Sequence, residues 1–118
     1  MADTIFEKII RKEIPATIRY EDDEFMAFDD INPSAPVDVL IIPKKSFATL
    51  QDVPMEDDAT FAGLLKTVRK VAEKIGISDN YRLVMNVGNE MQQVKHVHIH
   101  LMGGWKAEKL AKVKLKNI

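Results

Sequence analysis

The sequence predicts an α+β domain, an antiparallel β-sheet of about five strands with one short and one long helix on one face. Three observations carry that prediction. The apolar periodicity runs in the order helix, several short strands, long helix, two strands. The links between neighbouring strand segments are too short for crossover helices, so neighbours should pair antiparallel. Finally, 118 residues with five glycines and five prolines fit one domain and leave no room for a flexible linker.

The first helix starts at Thr4-Ile5-Phe6-Glu7, a capping box in which hydroxyl and carboxylate satisfy orphan backbone N–H groups. Ile5, Phe6, Ile9 and Ile10 form its apolar stripe, which ends before Pro15. Strand character follows at Thr17–Tyr20, at Phe25–Asp29 after an acidic turn, and at Val37–Ile42 between two prolines. A long helix is expected at about Met55–Ile75, where Phe61, Leu64, Leu65, Val68, Ala72 and Ile75 recur at helical spacing before Gly76. The acidic Glu56-Asp57-Asp58 suits the positive end of its dipole. Two last strands, Tyr81–Val87 and His96–Met102, bracket the loop Gly88–Lys95. Residues 1–118 thus read as a single domain, with a core at about 3–104 and a lysine-rich tail, 105–118, expected as a solvated terminus.

Composition narrows the function. A net charge of −1 lacks the basic footprint of a nucleic-acid binder. No apolar run approaches the ~20 residues of a membrane span and no leader segment is evident, so a cytoplasmic protein is expected. With no cysteine there is no thiolate nucleophile or thiolate metal site. Histidine dominates the remaining chemistry, and all three histidines fall within five residues, His96, His98 and His100.

From His96 to Met102 the chain alternates strictly, with Val97, Ile99 and Leu101 on one face and the histidines on the other. Same-face neighbours in a strand sit ~7 Å apart. Incidental exposed histidines would rarely occupy three alternate positions of one strand. One metal ion cannot reach His96 and His100 together, so a zinc site would need a carboxylate such as Glu90 or Asp30. Acid–base and nucleophilic chemistry at phosphorus fits better: a neutral imidazole can attack while a neighbouring imidazolium binds phosphate oxygens or protonates a leaving group.

His96-Val97-His98-Ile99-His100-Leu101-Met102 resembles the motif that names the histidine-triad (HIT) superfamily. Asp3-Thr4-Ile5-Phe6, Ala27-Phe28-Asp29-Asp30-Ile31, Ala35-Pro36 and Ile42-Pro43-Lys44-Lys45 extend the resemblance to its Hint branch, from about residue 3 to Gly104. The resemblance implies a HIT-like fold and a homodimeric hydrolase that cleaves purine nucleoside 5′-phosphoramidates through a nucleotidyl-histidine intermediate. It implies that His98 is the nucleophile, that His100 contacts the phosphate and that His96 orients the site. Asp30 would accept from the ribose hydroxyls, Asn86 would lie near phosphate and ribose, and Ile5, Phe6, Ile9, Phe28 and Ile31 would receive the base. Gln92 and Gln93 join the expected nucleotide site. No cofactor is required, and the expected partners are a purine nucleotide and a second copy of the chain, with neither nucleic acid nor membrane.

The chain also departs from the family pattern. Ser46 stands where members commonly carry a further histidine, and Trp105 replaces a polar position after Gly103-Gly104. Before the triad, where the pattern has glycine, glutamine and a hydroxyl residue, this chain reads Met91-Gln92-Gln93-Val94-Lys95 and is one residue short. Glycine permits close backbone approach and a hydroxyl is a compact donor. The change favours nucleotide binding over fast turnover and keeps a second reading open, a nucleotide-binding or protein-interaction module with weak turnover.

Overall fold

The computed structural model describes residues 3–117, with side chains described as far as residue 113. Five strands form one antiparallel sheet in the order β1-β2-β3-β5-β4: β1 Ile18–Glu21, β2 Phe25–Asp29, β3 Val37–Pro43, β4 Tyr81–Val84 and β5 Ile99–Gly103. The helices are α1 Ile5–Ile10, α2 Asp58–Lys74 and α3 Ala107–Asn117. Among the described residues, no helix is long and apolar enough to cross a membrane.

The capping box at α1 is formed: the Glu7 N–H donates to Thr4 Oγ1 and the Thr4 N–H to Glu7 Oε1, both at 3.2 Å. Helix α2 starts later than its periodicity alone suggests because Asp57 is the N-cap, its carboxylate accepting from the Thr60 N–H at 3.1 Å. Gly76, with φ +79, ends the run in a conformation other side chains resist.

The sheet is covered on both faces, which corrects the expectation of helices on one face only. Leu64, Val68, Val71 and Ala72 of α2 pack on Ala27, Val39, Ile41, Val97, Ile99 and Leu101. On the other face Phe6 and Ile9 of α1 pack on Met26, Phe28, Leu40 and Ile42. Strands buried on both faces lose the polar alternation of a half-solvated sheet, and Met26–Phe28 and Val39–Ile42 are buried without interruption. The apolar stripe of α1 is too short to cover that second face entirely, and the uncovered part becomes a cavity.

The tail, expected as a solvated terminus, is helical over Ala107–Asn117, and its side chains described as far as residue 113 are mostly exposed. Alanine, leucine, glutamate and lysine are strong helix formers and no glycine or proline interrupts them. Trp105 and Leu110 line a shallow groove with Tyr81 and Arg82.

Gly63 is the tightest point between α2 and the sheet, because an added Cβ would overlap the ring of Phe25. Gly63→Ala should therefore destabilise the protein by about 1–2 kcal/mol, overpacking outweighing the gain in helix propensity. Urea unfolding checks this; a midpoint above wild type would mean that the Phe25 ring moves aside at no cost.

Candidate active site

The cavity lies on the α1 side of the sheet and measures about 1280 Å³. Its apolar wall includes Ile5, Phe6, Ile9, Phe28 and Ile31, the residues expected around a base. Its polar lining includes Asp30, Asn86, Gln93, His98 and His100. Ile31 is 87% exposed and Ile5 49%, so this part of the wall stands open to solvent.

Each histidine has a different environment. The regular part of β5 begins only at Ile99, so His96 and His98 precede the ladder, a correction to the expected strand. In the register that pairs Ile41 with Ile99, Val97 would next meet Pro43, which has no N–H to donate. The Val97 carbonyl therefore has no donor there, the Pro43 carbonyl is taken by His96 Nε2, and the Val97 N–H donates to the Phe47 carbonyl at 2.8 Å. The chain stays extended enough to keep Val97 in the α2-side core and His98 on the cavity side.

His96 is 1% exposed and does not line the cavity. Its Nε2–H donates to the Pro43 carbonyl at 2.7 Å, while its Nδ1 is buried without a partner among the described residues. Because a carbonyl can only accept, this contact assigns the proton to Nε2. The His96 carbonyl in turn accepts from His98 Nδ1 at 2.7 Å. His98 is therefore protonated on Nδ1, and in the neutral ring the lone pair resides on Nε2. Phe6 meets the His98 ring edge-on at 5.1 Å and the His96 ring at 6.0 Å. His98 and His100 are themselves edge-on at 5.2 Å.

Burial pushes the pKa of both His96 and His98 below the usual imidazole value, and the carbonyls of Pro43 and His96 oppose that shift only in part. Both rings are thus favoured neutral, as a nucleophile requires. The unfolded chain takes up protons near pH 6.5 and the folded chain only at lower pH. Stability should therefore fall as pH drops from about 6.5 toward the folded values. The carboxylates of Glu13, Glu21, Asp22 and Asp57, each hydrogen-bonded, are held below their ordinary values of 4.5 and 3.8, so they titrate in a more acidic window. A urea midpoint lower at pH 5.5 than at pH 7.5 is the expected result; equal midpoints would contradict the burial of neutral histidines.

His100 is set apart by carboxylates. Its Nδ1 lies 3.3 Å from Asp38 Oδ1 and 3.6 Å from Asp30 Oδ2. Asp30 Oδ1 accepts from the Asn32 N–H at 2.9 Å, so this residue both closes a turn and faces the cavity. Donor atoms of Asp30, Asp38 and His100 lie within 4.8 Å of one another, a set compatible in composition with a cation. Glu90, the other carboxylate considered for a metal, is exposed and is not part of this group.

One expected site residue lies elsewhere. Gln92 does not line the cavity; its Oε1 accepts from the Gly88 N–H at 2.8 Å and its Nε2 donates to the carbonyls of Ala48 and Val94. It clamps a loop entered through Gly88 at φ +106, so its amide is spent on architecture. Met91 and Gln93 do line the cavity, and Met91 is 61% exposed. Sequence reasoning missed Asp38, although a carboxylate inside the apolar run Val37–Ile42 is the kind of residue strands disfavour.

Fold and site together define a small α+β domain with a largely apolar cavity lined by two histidines. Comparison with known proteins identifies the group: residues 11–107 match the HIT domain model, and the chain belongs to the HIT domain family. It is similar to an uncharacterized HIT-like protein of Synechocystis sp., 53% identical over 103 residues that make up 86% of this chain and 90% of that one. It is also similar to the purine nucleoside phosphoramidase of Escherichia coli, 46% identical over 104 residues, 86% of this chain and 87% of the relative. A HIT family hydrolase from Legionella pneumophila superposes with a TM-score of 0.83 at 45% identity, covering 88% of this chain and 95% of its own. The fold is thus the HIT fold, and the chain is a hydrolase of that family.

Proposed function

We propose that this hydrolase cleaves purine nucleoside 5′-phosphoramidates through a nucleotidyl intermediate on His98. The observation that carries the proposal is the 2.7 Å contact between His98 Nδ1 and the His96 carbonyl, which leaves the Nε2 lone pair for a ligand in the cavity. The base packs against Phe6, Ile9 and Phe28, and the ribose hydroxyls donate to Asp30, whose oxygens retain free lone pairs. Nε2 attacks phosphorus as the phosphorus–nitrogen bond breaks, and the departing amine nitrogen takes up a proton from solvent. Water then attacks phosphorus, the phosphorus–Nε2 bond breaks with its electron pair returning to Nε2, and the water's proton passes to solvent, releasing the nucleoside monophosphate and regenerating the neutral imidazole. His100 faces the phosphate, where charge stabilisation matters most. No cofactor enters this scheme.

The exposed Met91 and the committed amide of Gln92 favour a modest rate, since neither offers the phosphate a donor. The same reading takes the protein as a cytoplasmic homodimer. Strand β4 is an edge of the sheet with Tyr81 and Leu83 exposed on it, which suits pairing with a second copy. Sedimentation at micromolar concentration checks this, and a monomer would contradict it.

The decisive test is rapid acid-free quenching of the protein with an adenosine 5′-phosphoramidate, followed by intact-mass analysis. An acid-labile nucleotidyl adduct, lost in His98→Ala, is expected. Turnover without any adduct would point to direct attack by water.

A further inference from the structure

The residue least explained by packing is Asp38. Its carboxylate is wholly inaccessible, in the middle of the sheet, where an ionised group is costly unless hydrogen-bonded or paired. Two groups meet it. Oδ2 accepts from the Ser34 N–H at 3.0 Å, and Oδ1 lies 3.3 Å from His100 Nδ1. Asp30 is the other carboxylate near that nitrogen, but its Oδ2, at 3.6 Å, lies beyond hydrogen-bond range.

We propose that Asp38 is a positioning residue for His100: its buried carboxylate accepts the Nδ1–H, fixes the imidazole and makes Nε2 the ring nitrogen that the ligand's phosphate meets. This rests on the reading of the cavity as a phosphoramidate site. The two cavity histidines are then oriented by the same rule from different sources. A backbone carbonyl holds the Nδ1 proton of His98, and a buried carboxylate holds that of His100. The carboxylate adds a charge that stabilises any positive charge His100 acquires during the reaction, which a backbone carbonyl does more weakly. Register supports the assignment: Leu40 pairs with His100 and Asp38 with Met102, so the carboxylate reaches His100 from two residues along the adjacent strand.

Asp38→Asn tests this with almost no change of shape. The amide oxygen can keep the Ser34 N–H, which turns the NH2 group toward Nδ1 and forces that nitrogen to give up its proton. Expected are a fall in kcat of about 10²-fold or more with KM and AMP binding little changed. Long-range 15N–1H NMR of the His100 ring should show Nδ1–H in wild type and Nε2–H in the variant. A wild-type ring with a bare Nδ1, or a variant with wild-type kcat, overturns the proposal. Stoichiometric zinc bound by wild type and lost in Asp38→Asn would also overturn it, making the cluster a metal site. Should wild type and His98→Ala be equally inert, the phosphoramidase reading fails, while the NMR result still decides whether Asp38 holds the His100 proton. Should the variant not fold, the wild-type spectrum alone decides that point.

Discussion

Replacing His98 by alanine is expected to abolish adenosine phosphoramidate hydrolysis, lowering kcat on the order of 10⁴-fold while AMP still binds. The size follows from the role. Removing a nucleophile removes a covalent pathway, and little remains beyond the positioning of water by the cavity. Three features support the proposed role of His98. The His96 carbonyl holds the Nδ1 proton, burial favours the neutral ring, and Phe6 and His100 flank it edge-on at 5.1 and 5.2 Å. Stopped assays of amine release, with AMP binding by calorimetry as the folding control, make the measurement. A variant as fast as wild type would exclude a catalytic His98 and leave the nucleotide-binding module as the standing interpretation.

Phe6→Ala should produce the largest loss of stability among the site residues, about 3–4 kcal/mol. Phe6 is 5% exposed, and it joins the α1-side core to the histidines through an edge-on contact with Phe28 at 5.3 Å as well as those with His96 and His98. Truncation removes the wall against which the His98 ring rests, so kcat should fall as well. Phe6→Leu should recover most of the stability, because it restores apolar volume, and less of the activity, because a branched aliphatic chain does not confine the ring. Urea midpoints and kcat for the two variants provide the check. An alanine variant that unfolds at the wild-type midpoint would mean that α1 contributes little to the fold.

Local physics made much of the fold readable. The capping box of α1 involves residues three apart, and the stretch 25–29 forms β2 as its strand propensity suggests. Boundaries set by distant groups were less accessible. Strand β5 starts at Ile99 because its partner strand ends in a proline, and the second face of the sheet is covered because α1 folds back across it. Helix α3 was overlooked for a different reason. Its lysines draw attention as charge, although the same residues are good helix formers.

For the site, strict alternation from His96 to Met102 was enough to put three histidines on one side of the chain, because side chains of an extended backbone point alternately to opposite faces. Alternation cannot tell those histidines apart. Their division of labour comes from partners far away in sequence: the Pro43 carbonyl for His96 and the Asp38 carboxylate for His100. Hydrogen-bond direction, proton position and burial depend on which groups meet across the sheet. The sequence by itself therefore determined the chemistry available to this protein, and the tertiary structure alone decided which imidazole is buried against Pro43, which lines the cavity with its Nδ1 bound to a backbone carbonyl and which lies beside a buried carboxylate.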